Sequence, residues 1–97
     1  MIVAAARLTL LIPDNNSLKG KRQVVRSLIE KVRHRFGIAI AEVDSHDLWQ
    51  RAELGLAVVG NDEKVLSHTL DRVMHFLENK HLAEIIDSQL ELMHLEK

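Results

Sequence analysis

Seven of the chain's thirteen basic residues fall between positions 19 and 35: Lys19, Lys21, Arg22, Arg26, Lys31, Arg33 and Arg35, with Glu30 the single acid among them. At ~100° of rotation per helical residue, Lys19, Arg22, Arg26 and Arg33 gather in a ~60° stripe beside an apolar face. Cations in a row along one helical flank suit a phosphate backbone. Each neutralised phosphate releases counterions, and arginine meets phosphate oxygens through two parallel hydrogen bonds. A helix beginning after Ser17 would add its partial positive charge close to Lys19 and Lys21. Lys19, Lys21, Arg22, Arg26 and Arg33 are therefore the candidate nucleic-acid-binding residues. The competing reading is a solvated helix face whose long side chains pair with acids elsewhere on the molecule.

Other chemistry is poorly supplied. The chain has six histidines and no cysteine, which excludes disulfides, thiolate metal sites and a cysteine nucleophile. Asp44, His46 and Asp47, with Glu42 nearby, offer oxygen and nitrogen ligands. They are also favoured turn residues, and no second histidine stands close in sequence, so no metal is assigned. His68 and His75 are seven positions apart, not the usual i, i+4 ligand pair. There is no Gly-x-Ser-x-Gly elbow and no glycine-rich phosphate loop, hence no catalytic constellation and no cofactor expectation. An enzyme built from this chain would need a pocket between subunits lined by groups such as Glu42, His46 or Arg51. Recognition of RNA bases on a sheet face needs aromatic platforms, and the only aromatics are Phe36, Phe76 and Trp49, none arrayed along a strand.

The elements that must carry these residues follow from periodicity. Ile2, Ala4, Ala6, Leu8, Leu10 and Ile12 alternate with a mixed set, the period of a strand with one buried face. Pro13 to Asn16 end it, and Ser17 is a natural N-cap for a helix whose apolar residues Leu18, Val25, Leu28, Ile29, Val32 and Phe36 lead to Gly37. Residues 38–43 and about 49–59 read as two strands joined by a polar link. Asn61 or Asp62 caps a second helix carrying Leu66, Leu70, Val73 and Leu77, and residues 82 to about 95 read as a fourth strand with weak alternation or a helical tail. The order βαββαβ predicts an α+β, ferredoxin-like fold: one domain over residues 1–97, a four-stranded antiparallel sheet and both helices on one face.

A net charge of −1, 46% hydrophobic and 28% charged residues describe one ordinary globular domain, and exclude a uniformly basic nucleic-acid protein but not a basic patch. Residues 1–12 are apolar, yet they lack a basic n-region, contain Arg7 and fall short of the ~20 residues of a membrane span. They read as a strand of a cytoplasmic protein that does not enter the membrane. If the helices cover the even residues, the other sheet face shows Arg7, Thr9, Arg51, Glu53 and Gly55 together with Val3, Ala5, Leu11, Ala57 and Val59, and the last five are apolar for a surface facing water. Those five, with Trp49 as a rim anchor, are the candidate interface for a protein partner or a second copy of the chain. Scattered exposed alanines and valines are the alternative.

The run Ile12-Pro13-Asp14-Asn15-Asn16-Ser17-Leu18-Lys19-Gly20-Lys21-Arg22, continued by Val24-Val25-Arg26-Ser27-Leu28, resembles the opening of the YlxP-like proteins, a small bacterial family of unknown function. Ala41-Glu42-Val43 and Asp47-Leu48-Trp49-Gln50-Arg51-Ala52 resemble it too, and the C-terminal strand matches least. The resemblance implies a ferredoxin-like fold, a cytoplasmic location and genes near transcription and translation factors. It supplies no activity and no catalytic residues, but it favours RNA or the ribosome as the partner of the basic helix.

Overall fold

The computed structural model describes residues 1–96, and Lys97 lies outside the described residues. The elements run β1 (Ile2–Leu11), α1 (Leu18–Phe36), β2 (Ala39–Asp44), β3 (Arg51–Gly60), α2 (Glu63–Glu78) and β4 (Glu84–His94). The strands form one antiparallel sheet in the order β2-β3-β1-β4, the ferredoxin-like topology expected from the pattern.

The helix boundaries have local causes. Ser17 accepts the Gly20 N–H at the start of α1, and Gly37, at φ 63°, closes it while donating its N–H to the Arg33 carbonyl. Asp62, not Asn61, caps α2, accepting from the N–H groups of Lys64 and Val65. Both helices press on the sheet face that carries Leu8, Leu10, Leu54 and Leu56. From α1 come Val25, Leu28 and Val32, and from α2 Leu66, Leu70, Val73 and Leu77. Burying each such side chain is worth about 2 kcal/mol, so this seam dominates the stability of a small domain.

The C-terminal strand covers Glu84–His94, starting two residues later than the pattern suggests, and no helical tail forms among the described residues. Its weak alternation has a physical reason. β4 is an edge strand that the helices reach only in part: Ile85 and Leu92 pack on the core while Ile86, Leu90 and Met93 stay exposed. A register shift against β1 between Thr9 and Leu10 breaks the period further. β3 begins at Arg51, two residues later than the pattern suggests, because Trp49 and Gln50 belong to the preceding loop.

Candidate functional site

The segment between β1 and α1 is a clasp. Asp14 turns the chain with a φ of 61°, and the Asn15 carboxamide then donates to the carbonyls of Ser17 (2.8 Å) and Trp49. Gln50 Nε2 returns a bond to the Asn15 carbonyl (2.9 Å), and the Ile12 N–H donates to the Gln50 carbonyl (2.8 Å). Gly20 makes this possible, since a β-carbon there would run into Asn15 Oδ1. The start of α1 is thereby locked to the β2–β3 loop.

Lys21 completes the clasp from inside and must be removed from the phosphate-binding set. It is 1% exposed. Its ammonium pairs with Glu42 Oε2 at 2.7 Å and donates to the carbonyls of Ser45 and His46 (the latter at 3.2 Å). The reason is angular: Lys21, Val25, Leu28 and Val32 follow the i, i+4, i+7, i+11 spacing of the buried face. That spacing was visible in the sequence, but a lysine at such a position is normally assigned to solvent.

The four stripe residues themselves, Lys19, Arg22, Arg26 and Arg33, are exposed. Among the described residues the ion pairs are Arg7 with Asp44 and Glu53, Lys21 with Glu42 and His94 with Glu63, so none of these four cations is neutralised by a carboxylate. Arg22, Arg26 and Arg33 line one groove of about 430 Å³ between α1 and β2, floored by Val25 and Ile29. Arg33 is oriented there by a 2.8 Å bond from Nη2 to the Ile40 carbonyl. Two acids reach the groove, Glu30 and Glu42, and the second is already held by Lys21.

The open sheet face brings together part of the expected interface. Val3 lies opposite Val59 on one side and Met93 on the other, and Ala5 lies opposite Ala57. Val59 is 63% exposed and Met93 49%. Leu11 is separated from this band, paired with Arg51 and Glu84 at the far end of β1. Between them Arg7 reaches Asp44 (3.2 Å) and Glu53 (3.1 Å). The Ser45 hydroxyl donates to Glu53, holding its carboxyl below the usual carboxylate range, and Arg7 adds to the effect. The Ser45 N–H does the same for Asp44, again helped by Arg7. Trp49, 54% exposed, stands apart in the β2–β3 loop with its backbone fixed by Asn15.

Fold and surface together define a small ferredoxin-like α+β domain whose helix layer carries unpaired cations. Residues 3–90 match the family model described as "Protein of unknown function (DUF503)", and the chain belongs to that family. It is 31% identical over 78 residues to "Uncharacterized protein YlxP" of Bacillus subtilis (strain 168), covering 80% of this chain and 85% of the relative. Among solved structures it is similar to "Structural Genomics, protein YJCS", with a TM-score of 0.51 and 14% identity over 97% of this chain and 99% of that one. A weaker likeness, at a TM-score of 0.43 and 11% identity over 99% and 93% of the two chains, is to a mutant of SnoaB, a cofactor-independent oxygenase from Streptomyces nogalater. No helix among the described residues is long and apolar enough to cross a membrane.

Proposed function

We propose that this protein is a non-catalytic RNA-binding protein of the cytoplasm, acting on free or ribosomal RNA by gripping its phosphate backbone on the β2 flank of α1. The observation that carries the reading is that Arg22, Arg26 and Arg33 share one groove and none has a carboxylate partner. Lys19 extends the row toward the helix N-terminus. Contacts of this kind hold the backbone and leave sequence unread. With no aromatic arrayed on a strand, affinity rests on charge, and four phosphate contacts to a single strand predict a slope of log K against log salt of about −3. Arg22→Glu combined with Arg26→Glu should abolish salt-sensitive binding of a mixed-sequence oligoribonucleotide while leaving the melting curve unchanged. Unaltered binding by a folded variant overturns the reading. Lys21 is not a suitable probe, since its loss disturbs the clasp.

A second reading has its own support. Val3, Ala5, Ala57, Val59 and Met93 make a continuous apolar band on the open sheet face. A second copy of the chain, related by a two-fold axis, would set band against band. Ala57→Glu would then shift the sedimenting mass to that of a monomer, and a wild type that stays monomeric from about 0.1 M to about 1 M salt excludes this role.

A further inference from the structure

The opposite flank of α1 carries a second, unassigned concentration of charge. Phe36 at the end of α1 and Phe76 on α2 meet edge to face, with ring centroids 5.5 Å apart at 83°. Arg35 lies over both rings, its Cζ 5.7 Å from the Phe36 centroid and 5.2 Å from that of Phe76. Arg72 approaches Phe36 at 5.6 Å, and Lys80 Nζ sits 4.3 Å from Phe76. Two adjoining hollows share Arg35 and Phe76 as walls. One, of about 560 Å³, adds Lys31 and His34, and the other, of about 360 Å³, adds Arg72, His75 and Lys80. Glu30 is the one carboxylate lining either.

Cations gathered this closely repel one another, and proteins ordinarily interleave acids to relieve it. Here the relief comes from aromatic faces, which attract a cation without cancelling its charge. The guanidinium and ammonium groups are thus held in place with their hydrogen-bonding capacity largely free, and none is in an ion pair among the described residues. We infer that the α1–α2 cleft is a binding site for a multiply charged phosphate group. Arg35 and Arg72 would take its oxygens through paired N–H donors, and Lys31 and Lys80 would close the two ends. The cleft lies on the other side of α1 from the Arg22–Arg26–Arg33 groove, so this inference does not depend on the RNA reading. The phosphate chemistry is common to a small phosphorylated metabolite and to a terminal or backbone phosphate of RNA.

Titration of the intact protein with sodium tripolyphosphate by calorimetry tests the site, and titration with a single-stranded oligoribonucleotide separates the sources. Arg35→Gln with Arg72→Gln should weaken tripolyphosphate binding by about tenfold or more, the loss of two charge-assisted contacts. Lys64→Gln, an exposed lysine in the first turn of α2 at the far end from the cleft, should leave it within about twofold. If Arg35→Gln with Arg72→Gln spares the oligonucleotide, the ligand is a small phosphate; if it also weakens the oligonucleotide, the cleft takes RNA phosphates. Lys80→Met, on a surface turn, provides an independent probe should the double variant melt early. Wild-type protein that takes up no tripolyphosphate, or folded variants that bind it as well as wild type, overturn the inference.

Discussion

At the scale of single residues, Lys21 has the largest consequence. Its long chain fills core space between α1 and the sheet, and its ammonium is surrounded by one carboxylate and two carbonyl oxygens. Removing the charge alone leaves Glu42 and two carbonyls without their donor, which costs more than the intact arrangement contributes over an apolar replacement. Lys21→Met should therefore lower stability by about 3 kcal/mol in denaturant titration. Adding Glu42→Gln should recover part of it, and full additivity of the two changes would disprove the coupling. Glu53 and Asp44 behave differently because they share a half-exposed partner, Arg7, on the open sheet face, where Asp44 is exposed and Glu53 is mostly covered. Both carboxyls titrate below their ordinary values of 4.5 and 3.8, so each contributes stability that is complete above those values. It disappears as the pH falls through the depressed folded value. Glu53→Gln should flatten the dependence of stability on pH below about 4.5 and leave the neutral region parallel to wild type.

At the scale of elements, α1 serves three neighbours at once. One face enters the core, one flank overlooks β2 and the other overlooks α2. Periodicity makes the first legible, because apolar residues mark it, and it makes the β2 flank legible as a run of arginines. The α2 flank was not legible: Phe36 and Phe76 are distant in sequence, and only tertiary packing turns Arg35, Arg72 and Lys80 onto their rings. The same limit explains the motif around Ser17. Its residues read as a helix start followed by surface charge, whereas Asn15, Gly20 and Lys21 are fasteners whose partners, Trp49, Ser45 and His46, arrive with the β2–β3 loop. Gly20→Ala weighs these influences against each other. Inside a helix the change gains roughly 1 kcal/mol from propensity. Here the new methyl would meet Asn15 Oδ1 and approach Ser17 Oγ at 3.0 Å, displacing the carboxamide that holds Trp49. A net loss of stability is expected, together with faster amide exchange in the β2–β3 loop; a more stable variant with unchanged exchange would show that the clasp yields freely.

At the scale of the molecule, the near-zero net charge conceals a separation. Among positions 84–96 stand Glu84, Asp87, Glu91 and Glu96 with no lysine or arginine, while α1 carries seven cations and one acid. By register with β1, Asp87 and Glu91 share the open sheet face with Arg7, opposite the helix layer. One side is therefore cationic and the other is apolar with an acidic margin, and the two proposed surfaces must answer salt in opposite senses. Phosphate binding on the helix layer weakens as salt rises, because each counterion released into a saltier solution gains less entropy. Pairing of two open faces brings like acidic margins together, a repulsion that fades as the screening length drops from about 10 Å at 0.1 M to about 3 Å at 1 M. Sedimentation of the wild type across that range should show mass rising with salt if the open face pairs, while oligonucleotide affinity measured in parallel falls. Ala57→Glu should remove the first trend and preserve the second, and Arg22→Glu with Arg26→Glu should do the reverse. A single variant that abolished both trends would mean that the helix layer and the open sheet face are not independent surfaces.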